Sequence, residues 1–373
     1  MNLEKNFINL NSHKEKICSY SKKKRKIKYF ILFCFILLII GTYIYSNSKV
    51  GENLFLTLTK KWNDNSNSPT MKLYNEKINQ KYIEHQNLFC DNQSKYFNGE
   101  FENKIQLANV TISGFAYKMY VYQKDDVVSD FILKTGNWEG GSTIQLQNAL
   151  NYYSQKKNIK KENIYALDIG ANIGWYSFYL SKLGYKVIGF EPSSINYYIL
   201  RKNYCLNREV NLTIIKKGLY TEEKKCGLYS ENRNKGNGMI ICDKGKNAIP
   251  PNFIKNGEFE LTKLSNYVDY LSKNNLALIK IDIEGSEEKG FKGGLDLITK
   301  YHIPFIFLEF CPAFLKLHGT IPEEFLKMFK SNGYEISNVG FFSRKYININ
   351  QIAKTDKNIV NLYITFKKFL NDN

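Results

Sequence analysis

An apolar run from Tyr29 to Tyr45 (YFILFCFILLIIGTYIY) contains no charged residue. Its length is at the short end for a membrane-spanning helix. A buried core helix fits poorly beside the basic block Lys22–Lys28, and no Ala-x-Ala-like site follows to suggest a cleaved signal peptide. The pattern predicts a single transmembrane signal-anchor over 29–45, preceded by a basic cytosolic tail over 1–28. The positive-inside rule then places the rest of the chain in the lumen or outside, as in a type II membrane protein. A short span suits the thinner membranes of the ER and Golgi. Residues 46–100 are polar, lack lasting periodicity and contain the breaker cluster Asn63–Pro69, so they read as a stem.

Beyond the stem the pattern becomes regular. Residues 101–160 begin with β-like alternation, as in Phe115–Tyr122, and end in a helix from about Ser142 to Lys156. They read as a cap before a core over 161–370. That core opens with an apolar strand, Ile164–Ile169, and a glycine-punctuated turn. A helix follows in which Tyr176, Leu180 and Leu183 recur at helical spacing, with Gly184 as its stop. Strand, glycine turn and helix together open a nucleotide-binding α/β unit. Further strands are expected at Lys186–Phe190, Leu212–Ile215, Leu276–Gly285 and Phe305–Leu308, with Tyr334–Val339 and Val360–Phe366 as a final antiparallel pair. Helices are expected to Asn207, over Leu264–Lys273, and from a capping box at Thr320–Glu323 to Ser331. Residues 226–260 hold several Gly and Pro and read as an irregular insertion over the site.

The turn is also the first candidate site. A dinucleotide fingerprint needs glycine where the chain has Asn172 and Trp175. The pattern present is acidic-x-Gly-x-Asn-x-Gly, filled by Asp168, Gly170, Asn172 and Gly174. Asn is the non-glycine residue that best tolerates a left-handed φ. This acidic form suits S-adenosylmethionine (SAM), whose ammonium Asp168 would attract. Glu191 ends the second strand about 20 residues on, where a carboxylate can accept from both ribose hydroxyls.

The strand from Leu276 carries the densest chemistry. By its period of two, Ile279, Ile281 and Ile283 share one face, and Lys280, Asp282 and Glu284 the other. Three ionisable groups on a central strand are costly unless paired or functional. The bland alternative is a self-contained Lys280–Asp282 pair with Glu284 capping the next helix.

Charge and composition change this picture little. The formal charge is +18, of which +7 falls in residues 1–28 and +11 is spread over the other 345 without a strong block. No zinc-finger spacing, RNP-type motif or dense basic helix supports nucleic-acid binding. Seven cysteines include no C-x-x-C, and the four histidines have no ligand spacing, so no metal is expected. Five cysteines follow the apolar run, so at least one stays unpaired if disulfides form. Three sequons, at Asn92, Asn109 and Asn211, agree with a lumenal domain.

Taken together these blocks resemble the FkbM family of SAM-dependent methyltransferases, over roughly Gly114 to Lys367. The likeness rests on Gly136-x-Trp138-Glu139, Asp168–Gly174, Phe190-Glu191-Pro192, Lys280–Glu287 and Phe307-Leu308-Glu309. It implies an α/β class I methyltransferase fold, Rossmann-like, with a seven-stranded, mostly parallel sheet whose last strand is antiparallel. It implies O-methylation, commonly of sugars or natural-product hydroxyls. By position, Asp168, Gly170, Asn172, Gly174 and Glu191 would hold the cofactor. The family often has aspartate in a Thr-x-Leu-Asp stretch; here Thr262-Lys263-Leu264 is followed by Ser265.

The expected activity is methyl transfer from SAM to a hydroxyl of a glycan or other small acceptor. Asp282 is the first candidate base and Glu284 the second, with Lys280 holding Asp282 ionised. Glu139 and Glu309 are candidates for binding the acceptor. Other classes remain: an inert binding module that kept the fold, a methyltransferase acting on a lipid, and a nucleotide-dependent oxidoreductase, which Asn172 and Trp175 disfavour.

Overall fold

Strict alternation from Ile105 to Tyr122 forms a hairpin of β1 (Ile105–Ile112) and β2 (Phe115–Tyr122). Its two-residue loop is Ser113–Gly114, with φ of 48° and 82°, the paired left-handed backbone that a tight hairpin favours. Helices α1 (Val127–Thr135) and α2 (Gly140–Lys157) follow. The computed structural model describes residues 81–92, 101–231, 238–242, 249, 251–273, 275–355 and 359–372. The basic tail, the apolar run 29–45 and most of the predicted stem lie outside these. Among the described residues no helix is long and apolar enough to cross a membrane.

The core is a doubly wound α/β unit. Its first half runs β3 (Tyr165–Ile169), α3 (Trp175–Lys182), β4 (Lys186–Phe190), α4 (Ser194–Leu206) and β5 (Leu212–Ile215). Helix α3 ends as its sequence suggests: Gly184, at φ 96°, donates to Ser181, and Tyr185 donates to Leu180, satisfying two end carbonyls. After the segment β6 (Gly218–Leu219), β7 (Lys225–Glu231), β8 (Met239–Ile241) and β9 (Phe253–Thr262), the second half resumes. It contains α5 (Ser265–Lys273), β10 (Leu276–Ile281), α6 (Glu287–Lys292), β11 (Phe305–Phe310), α7 (Pro322–Ser331), β12 (Tyr334–Ser337) and β13 (Val360–Phe366).

Seven strands form the central sheet in the order β12-β13-β11-β10-β3-β4-β5. Only β13, the last in sequence, runs antiparallel to its neighbours. The strands are buried on both faces. Leu167, Ile169, Ile279, Ile281, Ile306 and Leu308 pack with the side that carries α5, α6 and α7. Ala166, Leu278, Phe305 and Phe307 pack with the side that carries α2 and α3. This three-layer arrangement explains why these strands read as apolar runs.

Three local expectations are corrected. The described residues of 226–260 are not irregular: β7, β8 and β9 join β6 in a four-stranded sheet, and a Cys226–Cys242 disulfide ties β7 to the end of β8. Its two longer strands, β7 and β9, contain Gly227 and Gly257 and pair through a bulge at Leu228/Tyr229. Such features erase period-two patterning. The capping box at Thr320 does not form. The Thr320 hydroxyl donates to Glu288, and α7 opens on Pro322 without a side-chain cap, which proline tolerates at the first turn. Finally, β10 stops at Ile281, so Asp282–Gly285 is a turn and not the end of the strand.

Candidate active site

The carboxyl ends of β3 and β10 meet at one backbone contact. Gly170, at φ 79°, lies so close to Asp282 that an added Cβ would sit 1.8 Å from the Asp282 carbonyl oxygen. Only glycine fits there, and the left-handed φ independently requires it. Asn172 follows at φ 52°, so it takes the left-handed conformation that the motif predicts. Beside this turn is a cavity of about 330 Å³. The Gly170–Ile173 turn forms one wall; Asp282, Glu284, Glu309 and Glu139 form another, with Trp138 and Phe307 supplying apolar surface. A smaller neighbouring cavity shares Gly170, Asn172, Asp282 and Glu284. Glu191 and Ser193 line it on one side, and Leu228 and Ile240 of the four-stranded insertion on the other.

Glu191 is buried. One carboxylate oxygen accepts from the Asn172 N–H and the other from the Ser193 N–H, both at 2.8 Å. Burial pushes it up to about 8, against the opposing pull of those two N–H groups and of Lys280. Asp168 is 1% exposed and lies behind the turn, outside both cavity walls. It accepts from the Ser177 hydroxyl at 2.6 Å and faces Lys280 Nζ at 3.4 Å. Direct attraction of a ligand ammonium by Asp168 is therefore replaced by a cross-strand ion pair. Asp168 and Lys280 are register partners on adjacent strands, a proximity that sequence distance conceals. Burial raises the Asp168 pKa against the pull of Lys280 and Ser177.

Lys280 is the hub of the site. It is buried, donates to the Gly170 carbonyl at 2.7 Å, and lies 3.6 Å from Asp282. Burial alone would lower its pKa, but Asp168, Asp282 and Glu309 outweigh that and hold it raised. A cation so buried is tolerable because carboxylates and a carbonyl surround it. Thus Lys280 does pair with Asp282, and in addition it braces the glycine turn. Glu284 reaches the same cavity through its left-handed backbone, φ 54°, and not through strand alternation.

Glu309 stands on β11 beside this group. Burial, then the charges of Asp282 and Glu284, raise its pKa well above the carboxylate range, and it shares a hydrogen bond with Asp282. Asp282, Glu284 and Glu309 offer oxygens that all lie within 4.8 Å of one another. That spacing could be bridged by a cation, although no sequence motif led to a metal expectation.

Glu139 approaches from the cap at φ 43°. Its carboxylate accepts from the Tyr176 hydroxyl and from Asn361 Nδ2. Asn361 and Tyr176 were not among the residues singled out from sequence. Asn361 is the cross-strand partner of Glu309, so its signal appears only once β13 is paired with β11. Tyr176 passed as an ordinary apolar helix position, yet its ring also lies 5.6 Å from Lys280 Nζ.

The residues fit an S-adenosyl cofactor in three respects. The glycine turn leaves backbone within reach of a ligand, and Glu191 lines the adjoining cavity. Among the described residues, Asn172 Oδ1 is a buried acceptor with no hydrogen-bond partner. Gly170, Asn172 and Glu191 would hold the cofactor, with Gly174 and Asp168 supporting the turn from behind.

Comparison with solved structures gives weak likenesses. WbdD, described as a bifunctional kinase-methyltransferase, is 9% identical over 60% of this chain and 39% of its own, at a TM-score of 0.36. The matched region thus spans well under half of that protein. The T. thermophilus 16S rRNA methyltransferase RsmC, solved with AdoMet and guanosine, is 12% identical over 70% and 50%, at 0.34. A SAM-dependent methyltransferase from Agrobacterium tumefaciens is 8% identical over 70% of each chain, at 0.33. No curated protein sequence matches the chain. Residues 168–336, which carry the glycine turn and the Lys280–Glu309 wall, match the sequence profile described as the methyltransferase FkbM domain.

Proposed function

We propose that the protein is a membrane-anchored O-methyltransferase that methylates a hydroxyl of a glycan or glycoconjugate on the lumenal side of an early-secretory membrane. The observation that carries this reading is the single cavity shared by the glycine turn and the carboxylates Glu139, Asp282, Glu284 and Glu309. Paired carboxylates accept from neighbouring hydroxyls, and the Trp138 and Phe307 surfaces suit the apolar face of a sugar ring.

SAM, when bound, supplies an electrophilic methyl group. The chain's task is to place an acceptor oxygen in line and take its proton, and positioning alone contributes several kcal/mol to such a step. Asp282 is the base: it is partly exposed to the cavity, with the Lys280 ammonium 3.6 Å away and Glu309 within hydrogen-bonding reach. Glu284 is the second candidate. Glu139, oriented by Tyr176 and Asn361, binds the acceptor beside it. Ser265, the departure from the family's usual aspartate, opens α5 and lines neither cavity, so it does not argue for an inert module.

Two features support the lumenal assignment. Cys90–Cys205 and Cys226–Cys242 are bonded, and only Cys311 is free among the described cysteines; paired cysteines suit an oxidising compartment. The sequon residues Asn92, Asn109 and Asn211 are all exposed.

The test is labelled-methyl transfer from SAM by the full chain in detergent, on a panel of glycans, lipids and proteins. Alkali-stable label on a glycan is expected, because methyl ethers survive conditions that cleave methyl esters. Asp282→Asn should retain SAM binding and lose at least about a hundredfold in transfer, the usual scale for a missing general base. Label confined to lipid or protein, or full activity in Asp282→Asn, would refute the assignment.

A further inference from the structure

The turn after β10 is the common wall of both cavities, and Asp282 and Glu284 both belong to it. Nothing in a strand end dictates its shape. Glu284 and Gly285 both have left-handed backbone, at φ 54° and 92°. For Glu284 that conformation has an intrinsic cost, so surrounding contacts must impose it.

Those contacts converge on Glu287. Its side chain is 3% exposed and folds back from the first turn of α6. Oε1 accepts from the Ile283 N–H at 3.0 Å and from the Gly285 N–H at 3.1 Å. The two N–H groups flank Glu284, so a single carboxylate oxygen grips the turn on both sides of it. The opposite side is closed by packing: a Cβ on Gly285 would lie 2.5 Å from the Phe314 backbone and 2.8 Å from the His318 ring. At its start, the turn is fixed to β3, where the Asp282 N–H donates to the Ile169 carbonyl at 3.1 Å. Loosening the Glu287 end would remove the two contacts that flank Glu284, while Asp282 stays held by Ile169 and Lys280.

We propose that Glu287 is a positioning residue, whose carboxylate clamps the Asp282–Gly285 turn and thereby presents Asp282 and Glu284 to cofactor and acceptor. This rests on the reading of the cavity given under Proposed function. Glu287 lines neither cavity, so its effect passes entirely through the turn.

The experiment uses the full chain in detergent, as wild type, Glu287→Ala, Glu287→Gln and Glu287→Asp. Hydrogen exchange by mass spectrometry follows peptides spanning 282–286 and 276–281, and calorimetry follows SAM. Alanine removes both acceptor contacts, and aspartate withdraws the carboxylate by one methylene while keeping its charge. Both should speed exchange across 282–286 about tenfold or more, leave 276–281 protected, and weaken SAM binding about tenfold, as loss of buried charge-assisted bonds entails. Glutamine retains a carbonyl that can accept from both N–H groups and should restore SAM affinity to within about threefold. If Glu287→Ala fails to fold, Glu287→Asp carries the comparison. Unchanged exchange at 282–286, or SAM binding within about twofold of wild type in a folded clamp variant, overturns the proposal. Equal loss in glutamine and alanine also overturns it, since the clamp would then not be the cause. Wild-type protein that binds no SAM refutes the cofactor reading, while the exchange measurement still decides whether the clamp exists.

Discussion

Glu191→Gln isolates a price that the folded protein bears for its cofactor site. Glu191 has an ordinary value near 4.5 and is pushed up to about 8 by burial, with the Ser193 and Asn172 N–H groups opposing. A carboxyl raised on folding contributes stability that is complete below 4.5 and lost as pH rises through about 8. Integrating that displacement gives a loss of about 3.5 kcal/mol between pH 5 and pH 8 from this one group. Glutamine does not titrate, so its contribution to the slope is zero. It can accept from only one of the two N–H groups, at a cost of about 1–3 kcal/mol. That cost does not vary with pH and shifts the whole curve without tilting it.

The assay is urea unfolding of both proteins at several values between pH 5 and pH 8, followed by tryptophan fluorescence. Other raised carboxyls tilt both curves alike: Glu309, and Glu287, which burial brings to about 7. The readout is therefore the difference between the curves. Wild type should lose about 3.5 kcal/mol more than Glu191→Gln across this interval. The variant should also bind SAM more weakly, which separates stability from function at one residue. Parallel curves would refute the reasoning, because they would mean Glu191 titrates as it does in the unfolded chain.

Three more perturbations follow from the same geometry. Gly170→Ala drives a Cβ to 1.8 Å from the Asp282 carbonyl oxygen; both parts are backbone, so SAM binding by calorimetry should be abolished and the melting temperature lowered. At Asn172, φ 52°, alanine should cost about 1 kcal/mol in chemical unfolding while glycine costs less, since only alanine resists left-handed backbone. Removing the Cys226–Cys242 bridge, which spans 16 residues, should cost about 3 kcal/mol of stability. It should also weaken SAM binding by loosening the wall that Leu228 and Ile240 provide, whereas unchanged affinity would place that wall outside the cofactor site.

The parts of this site that sequence made legible are those with local causes. A strand, a left-handed turn and a helix are written within residues 164–184, and Asn172 takes the backbone its identity favours. Lys280 could be assigned a face because β10 obeys its period as far as Ile281. Two residues further, local rules fail. Glu284 enters the cavity through a turn, and the residue that holds the turn is reached by a side chain folding back from α6. Asp168 read as a ligand-facing acid because its partner is distant in sequence; register places that partner, Lys280, on the neighbouring strand. Asn361 is hidden for the same reason, as it becomes part of the site only through its pairing with Glu309. In each case the missing information is the strand order β13-β11-β10-β3. That order sets Asn361 opposite Glu309 and Lys280 opposite Asp168, and it gathers separate motifs at one end of the sheet. The chemistry follows from this adjacency: Lys280 is shared between Asp168 and Asp282, while burial and then the charges of Asp282 and Glu284 raise Glu309. Removing the Asp168 carboxylate should therefore lower the Lys280 pKa, which no single motif predicts.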